Sequence, residues 1–125
     1  MRFDEKAREN LEAAGRLLPN ERSAYAWPNA SASRAYYAAY LAVADRARQL
    51  GAEYTADRED YYRHDDLPAD GIRWGILEPD AGDDLAWLRS LRIKADYRED
   101  QVSLEEASEA VEVASSLLSR LLGSA

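Results

Sequence analysis

Several kinds of chemistry are excluded by what this chain lacks. It has no cysteine, so it forms no disulfide and offers no thiolate for catalysis or metal binding. No glycine-rich phosphate-binding loop occurs in it. The N-terminus is charged and no long apolar run is present, so neither a signal peptide nor a membrane span is predicted. These absences favour a cytoplasmic protein without membrane association.

Positive charge is also scarce. Sixteen Lys and Arg residues stand against 24 Asp and Glu, which gives a net charge of -8. An acidic chain repels polyanions, so broad electrostatic binding to DNA or RNA is disfavoured, although a local basic cleft is still compatible with the arginines present. With 46% hydrophobic and 32% charged residues, the composition is that of a globular protein. The length predicts one domain over residues 1–125.

The apolar residues recur at helical spacing in four long segments. No period-two alternation competes with this pattern, so we predict an all-α fold. Ser103 and Glu106 have the spacing of a capping box at the start of the last helix. Residues 52–84 are rich in Gly and Pro, with a short helix near Ile72–Ile76. The expected architecture is an antiparallel up-and-down bundle of four long helices plus a short helical or irregular middle segment. The four long helices are predicted over residues 4–18, from just after 28 to near 51, 83–97 and 104–122.

A charged pair interrupts the apolar stripe of the third of these long helices. Arg92 lies four residues beyond Leu88 and shares its face, and Asp96 lies four residues beyond Arg92. A buried arginine is costly unless it is paired and hydrogen-bonded. If both side chains are buried, truncating one is expected to cost about 3–5 kcal/mol; a cost under about 1 kcal/mol would mean that they are exposed.

The second helix offers partners for this pair. It opens with Ser33-Arg34-Ala35-Tyr36-Tyr37, and Tyr40 follows one turn later. Buried tyrosine hydroxyls need hydrogen-bond partners, as do Arg92 and Asp96, so a shared polar network between the two helices is predicted. Such a network serves either function or only the register of the helices.

These residues carry a resemblance to a known family. Ser-Arg-Ala-Tyr-Tyr-Ala-Ala-Tyr on the second helix, followed by Arg-x-x-Ala-Asp-Tyr from Arg92, resembles the HEPN domain, in particular its small prokaryotic members. The resemblance implies a helical bundle that usually forms homodimers and is often paired with a small nucleotidyltransferase in toxin–antitoxin modules. Other HEPN proteins are ribonucleases whose site uses an Arg, four to six further residues and a His, assembled across the dimer interface.

The chain departs from that ribonuclease motif. The fifth residue after Arg92 is Tyr97 rather than His, and Leu41 stands where relatives often have a His on the second helix. Tyrosine, with an ordinary pKa of about 10, is a poor base at neutral pH. His64 is the only histidine and lies in a charged segment. It is therefore either a solvated surface residue or a group that folds back over Arg92.

Three functional hypotheses stay open. The first is a HEPN-fold dimer in a toxin–antitoxin-like or nucleotide-linked system, acting through a protein partner or through nucleotide or RNA binding. The second is a divergent metal-independent ribonuclease whose candidate catalytic residues are Arg92, Asp96, Tyr97 and His64. The third is a nucleotide-binding module, in which Arg34 and Arg92 hold phosphates and Tyr37 or Tyr40 stacks on a base.

No cofactor and no metal ion are expected. Acidic residues cluster around His64, but their spacing matches no known metal-binding loop, and a run of this kind is usually a solvated face. The acidic residues are Asp57, Glu59, Asp60, Asp65 and Asp66.

Overall fold

The computed structural model describes residues 2–21, 24, 26–52 and 62–123. Within these residues the chain is helical and contains no strand. The predicted all-α bundle of four long helices and a short helical middle segment is confirmed. The helices are α1 (Phe3–Arg16), α2 (Pro28–Gln49), α3 (Leu67–Arg73), α4 (Pro79–Tyr97) and α5 (Leu104–Leu122).

Helix α2 is the centre of the bundle and packs against α1, α4 and α5. Small side chains allow this close approach, because alanine covers most of its buried positions. Its one buried polar residue, Ser31, donates a hydrogen bond of 2.8 Å to the carbonyl oxygen of Ala14 in α1. Helix α2 is therefore contacted on several sides. Its fully buried alanines are Ala32, Ala35, Ala38, Ala39, Ala42, Ala44 and Ala47.

The middle segment differs from the prediction in its boundaries. Helix α3 ends at Arg73, and Gly75, at a φ of 77°, occupies the left-handed conformation that glycine tolerates. Helix α4 begins at Pro79, four residues before the expected start at residue 83. Proline suits the first turn of a helix, where its missing N–H is not needed. Gly82 lies in that first turn for a packing reason, since a Cβ there would come within 2.5 Å of Ile72 Cδ1.

One end of the bundle joins three elements, and the candidate site lies beside it. The predicted capping box of α5 is confirmed, with the Glu106 backbone N–H donating to Ser103 Oγ at 3.0 Å and the Ser103 N–H to Glu106 Oε1 at 3.0 Å. Lys94 of α4 forms an ion pair with Glu106 at 3.1 Å. Asn29 Oδ1 of α2 accepts from the Val102 N–H at 2.9 Å. The C-terminus of α4 is thereby fixed against the N-termini of α2 and α5.

Among the described residues, none of the helices combines the length and the apolar character needed to span a lipid bilayer.

Candidate functional site

Three segments bring together the polar side chains that the sequence singled out: the first half of α2, the residues before α3, and the second half of α4. We call the resulting set the Arg92 site. It consists of Tyr36, Tyr37, Tyr40, His64, Arg89, Arg92, Asp96 and Tyr97.

His64 folds back onto α2. Its ring stacks on Tyr40, with centroids 4.3 Å apart and planes inclined by 23°. Hydrogen bonds fasten the neighbouring backbone: Tyr40 Oη donates to the carbonyl of Tyr62 at 2.6 Å, and Tyr62 Oη donates to the carbonyl of Ala52 at 2.7 Å. Of the two interpretations of His64, the geometry therefore favours the one that places it over the α2–α4 face. The ring is only partly exposed.

The hydrogen bond between Tyr36 and His64 fixes the tautomer of the imidazole. Tyr36 is 1% exposed, and burial raises the pKa of its hydroxyl well above the usual value, with a further contribution from Tyr40. The hydroxyl therefore keeps its proton and needs an acceptor. Within the described part of the chain its hydrogen-bond partner is His64 Nδ1. Because Nδ1 accepts, a neutral imidazole carries its proton on Nε2.

The neutral form of His64 is favoured by its surroundings. Burial lowers its pKa, and the charges of Arg92 and Arg89 lower it further, whereas Asp65 opposes them. At neutral pH the imidazole is thus an uncharged hydrogen-bond donor through Nε2–H.

This lowered pKa predicts how stability depends on pH. In the unfolded chain His64 has its ordinary pKa of 6.5, so it takes up a proton as the pH falls through this value. In the folded protein the pKa is lower, so the imidazole stays neutral over the same pH range. The contribution of His64 to the free energy of unfolding is thus complete above pH 6.5 and is lost as the pH falls toward the lower folded pKa. Because the chain has one histidine, its ring proton resonance in NMR reports this titration without overlap.

Urea unfolding at closely spaced pH values around the histidine titration provides the second measurement. In a His64→Gln variant the histidine part of the pH dependence should disappear. A measured pKa at or above 6.5 would contradict the described environment of the ring.

Arg92 is held by two tyrosines, Tyr37 and Tyr97. Its Nη2 donates to Tyr37 Oη at 2.8 Å and to Tyr97 Oη at 3.2 Å. The guanidinium carbon lies 5.3 Å from the Tyr37 ring centroid and 5.1 Å from that of Tyr97, within the range of cation–π attraction. Arg92 is thereby fixed in direction, with contacts to both α2 and the end of α4.

The predicted pairing of Arg92 with Asp96 is present, with Nε and Oδ2 3.2 Å apart. Ser33 Oγ donates to the same carboxylate oxygen at 3.1 Å, so the network joins α2 and α4 as expected. The pair is not fully buried, because the two side chains are 16% and 34% exposed. Arg92 Nε is buried and makes no hydrogen bond to a described residue, so the carboxylate satisfies the guanidinium incompletely. Because the pair is partly exposed, we expect truncation of Asp96 to lower the free energy of unfolding by about 1 kcal/mol, less than for a fully buried pair.

A second arginine, not among the site residues predicted from the sequence, completes the site. Arg89 lies one helical turn before Arg92, and its Nη2 is 3.0 Å from Asp65 Oδ1. The helical spacing of three residues was the signal that could have identified it. Arg89 and His64 line a cleft of about 140 Å³ together with Asp65, Pro68, Ala86, Ser90 and Ile93.

The structure places the other predicted binding residues differently. Arg34 is exposed and its Nη1 donates to Asn10 Oδ1 of α1 at 3.3 Å, away from the contacts of Arg92. Tyr40 is only 7% exposed and one ring face is taken by His64, so it offers no surface for a base. Tyr37 is partly buried and binds Arg92 through its hydroxyl.

The acidic cluster forms no recognisable metal site in the described part of the chain. Asp57, Glu59 and Asp60 lie outside the described residues. Among those described, no three His, Asp or Glu side chains converge in a way that would hold a metal ion. Asp65 and Asp66 instead face Arg89 and Arg63.

Comparison with known proteins agrees with the motifs. A search of curated proteins found no match. The family model of the HEPN domain matches residues 2–123, nearly the whole of the 125-residue chain. The resemblance inferred from the α2 and α4 motifs is confirmed, and the chain belongs to the HEPN domain family.

Proposed function

We propose that this HEPN-domain protein binds a phosphate group of an RNA strand at the Arg92 site. The observation that carries the proposal is that His64 and Arg89 line one cleft, with Arg92 one helical turn beyond Arg89 on α4 and held by Tyr37. The charges of both arginines lower the pKa of His64, which keeps its imidazole neutral. Guanidinium groups bind phosphate through charge-assisted hydrogen bonds, and Nε2–H of His64 adds an uncharged donor.

The size of the cleft favours a polymer over an enclosed mononucleotide. A cavity that surrounds a small ligand usually measures about 300–1,000 Å³, whereas this cleft measures about 140 Å³. It admits a phosphate group while the rest of the ligand lies outside. The net charge of -8 restricts binding to this local site, so we expect few phosphate contacts and a shallow dependence of affinity on salt.

The tautomer of His64 supports binding in preference to cleavage. A general base must offer an unprotonated nitrogen to the 2′-hydroxyl, but Nδ1 is occupied by Tyr36 and Nε2 carries the proton. Tyr97, at the position of the motif histidine, is held by Arg92 through its hydroxyl. This arrangement suits recognition of a phosphate and lacks a free base.

A metal-independent ribonuclease is the second candidate, favoured by the position of His64 beside Arg92. In that reaction Arg92 would stabilise charge on the phosphate, and His64 would transfer protons after a change of tautomer. Incubation with total RNA in the presence of a chelator tests it. Cleavage that disappears in Arg92→Ala would establish this candidate over simple binding.

Binding itself is tested by fluorescence anisotropy of labelled RNA oligomers and by calorimetry with nucleotides. We expect saturable RNA binding that inorganic phosphate or pyrophosphate competes away. If no RNA binds at millimolar ligand concentrations to folded protein, the proposal is wrong.

Removing an acidic neighbour of Arg89 is expected to strengthen RNA binding. Asp65 is 62% exposed and pairs with Arg89, so it competes with phosphate for that guanidinium. Asp65→Asn is expected to strengthen RNA binding about two- to fivefold, the range of an exposed ion pair. Asp66→Asn is the matched control, since it removes the same charge from a residue that faces Arg63. Equal gains in both variants would show an effect of net charge alone.

The assembly belongs to the same proposal. We propose that the protein forms a homodimer in the cytoplasm and pairs with a small nucleotidyltransferase in a toxin–antitoxin-like system, as the family motifs imply. Light scattering of the purified protein tests the first point, and co-purification with the product of a neighbouring nucleotidyltransferase gene tests the second. A monomer at all concentrations would remove the dimer from the proposal.

A further inference from the structure

Tyr97 presents an open aromatic face next to the proposed phosphate site. It is the last residue of α4, and 69% of it is exposed. Its hydroxyl accepts a hydrogen bond from Arg92 Nη2 at 3.2 Å, and the guanidinium carbon lies 5.1 Å from the ring centroid. Arg92 therefore contacts the ring from one side, while most of the ring faces solvent.

The other tyrosines of the Arg92 site have no such free face. Tyr36 and Tyr40 are 1% and 7% exposed, and both rings pack against His64. Tyr37 is partly buried and makes an edge contact with Tyr36 at a centroid distance of 5.6 Å. If a base stacks on an aromatic side chain of this site, Tyr97 is the ring that offers the surface.

A further cation follows the ring along the chain. Arg98 has an extended backbone with a φ of -107° and a ψ of 157°, and it is exposed. It makes no ion pair or hydrogen bond with any residue that the structure describes. In the sequence, Tyr97 thus lies between Arg92, which is bound to tyrosines, and Arg98, which has no partner among the described residues. This alternation of cation and aromatic surface is typical of sites that follow a single-stranded backbone.

We propose that Tyr97 is the stacking platform for an unpaired base of the RNA strand whose phosphate Arg92 binds. The inference rests on the proposed function and specifies its substrate class as single-stranded RNA or an unpaired loop. Bases in an A-form duplex are stacked on one another and are not offered to a protein side chain. Stacking tolerates any base, so the site selects unpaired strands with little preference for sequence.

The experiment compares three fluorescent probes of equal phosphate count: a single-stranded RNA, an oligomer in which the bases are absent, and a duplex. The wild-type protein is expected to bind the single strand about tenfold more tightly than the abasic oligomer. Tyr97→Ala should lose that preference and bind the abasic oligomer as the wild type does. Tyr97→Phe keeps the ring and should keep the preference, whereas Tyr97→Leu should lose most of it.

Each result separates this inference from the proposed function. If the wild type binds neither the single strand nor the abasic oligomer, the proposed function fails and the inference fails with it. If Arg92→Ala abolishes binding while Tyr97→Ala retains the preference for bases, phosphate binding stands and the stacking platform is wrong. If Tyr97→Ala changes the mass in light scattering and keeps the preference, the ring belongs to a protein interface and the inference is overturned.

Discussion

Replacing Arg92 with alanine is expected to weaken RNA binding about 10- to 100-fold. The substitution removes a guanidinium that is only 16% exposed and already directed by Tyr37 and Tyr97, so little ordering is needed when a phosphate binds. Hydrogen bonds to charged groups contribute about 1.5–3 kcal/mol, which corresponds to this loss of affinity. Anisotropy titrations of a labelled single-stranded RNA, at one fixed salt concentration, provide the measurement.

The control for this prediction is Arg120→Ala. Arg120 is exposed in the last turn of α5 and has no ion pair with a described residue, so its replacement removes the same charge without removing a structural contact. We expect a change of less than about twofold, because long-range attraction between exposed charges is screened by salt. Equal weakening in the two variants would contradict a localised site.

Folding must be checked separately, since Arg92 also bridges α2 and α4. Arg92→Lys serves this purpose: it keeps the charge but cannot bind phosphate through two parallel hydrogen bonds. We expect it to recover part of the stability and only part of the RNA affinity. Full affinity in Arg92→Lys would mean that charge alone, without the guanidinium geometry, accounts for binding.

The fold could be predicted from local features because most of its determinants are local. The capping box of Ser103 and Glu106 fixes the start of α5, and the apolar spacing defines its buried face. The start of α4 was predicted too late because Pro79 and Gly82 have the composition of a loop. Pro79 fits in the helix because the first turn tolerates proline. Gly82 fits because Ile72 packs closely against it. The second of these is a tertiary contact that no local pattern encodes.

The part of the candidate site that depends on local spacing could be predicted from the sequence. Arg92, Asp96 and Tyr97 lie on one helix, so their spacing alone indicated that they interact. The position of His64 depends on contacts across the chain, in which the Tyr40 ring stacks on it and the Tyr40 hydroxyl fastens Tyr62. Nothing in the charged sequence around His64 encodes these contacts. Arg34 was predicted to hold a phosphate, but its guanidinium binds Asn10 of α1, a contact between helices that its own sequence neighbours do not indicate.

The scaffold that holds the arginines gives the prediction with the largest effect on stability. Leu88 is fully buried on α4, one turn before Arg92, within the main core cluster. Leu88→Ala is expected to lower the free energy of unfolding by about 2–5 kcal/mol, because it removes buried apolar contacts and leaves a cavity that the surrounding helices fill only partly. Urea unfolding followed by circular dichroism measures this loss.

The matched control is Leu50→Ala, the same change at a position that is 56% exposed after the end of α2. It should cost less than about 1 kcal/mol, since little apolar surface is removed from contact. RNA affinity provides a second test of the same variants under conditions where each is folded. Because Leu88 is a buried apolar residue that supplies no hydrogen-bond donor to a phosphate, Leu88→Ala should weaken RNA binding far less than Arg92→Ala does. A loss of stability similar to that of Leu50→Ala would contradict the burial of this face of α4 and, with it, the position of Arg89 and Arg92 relative to α2.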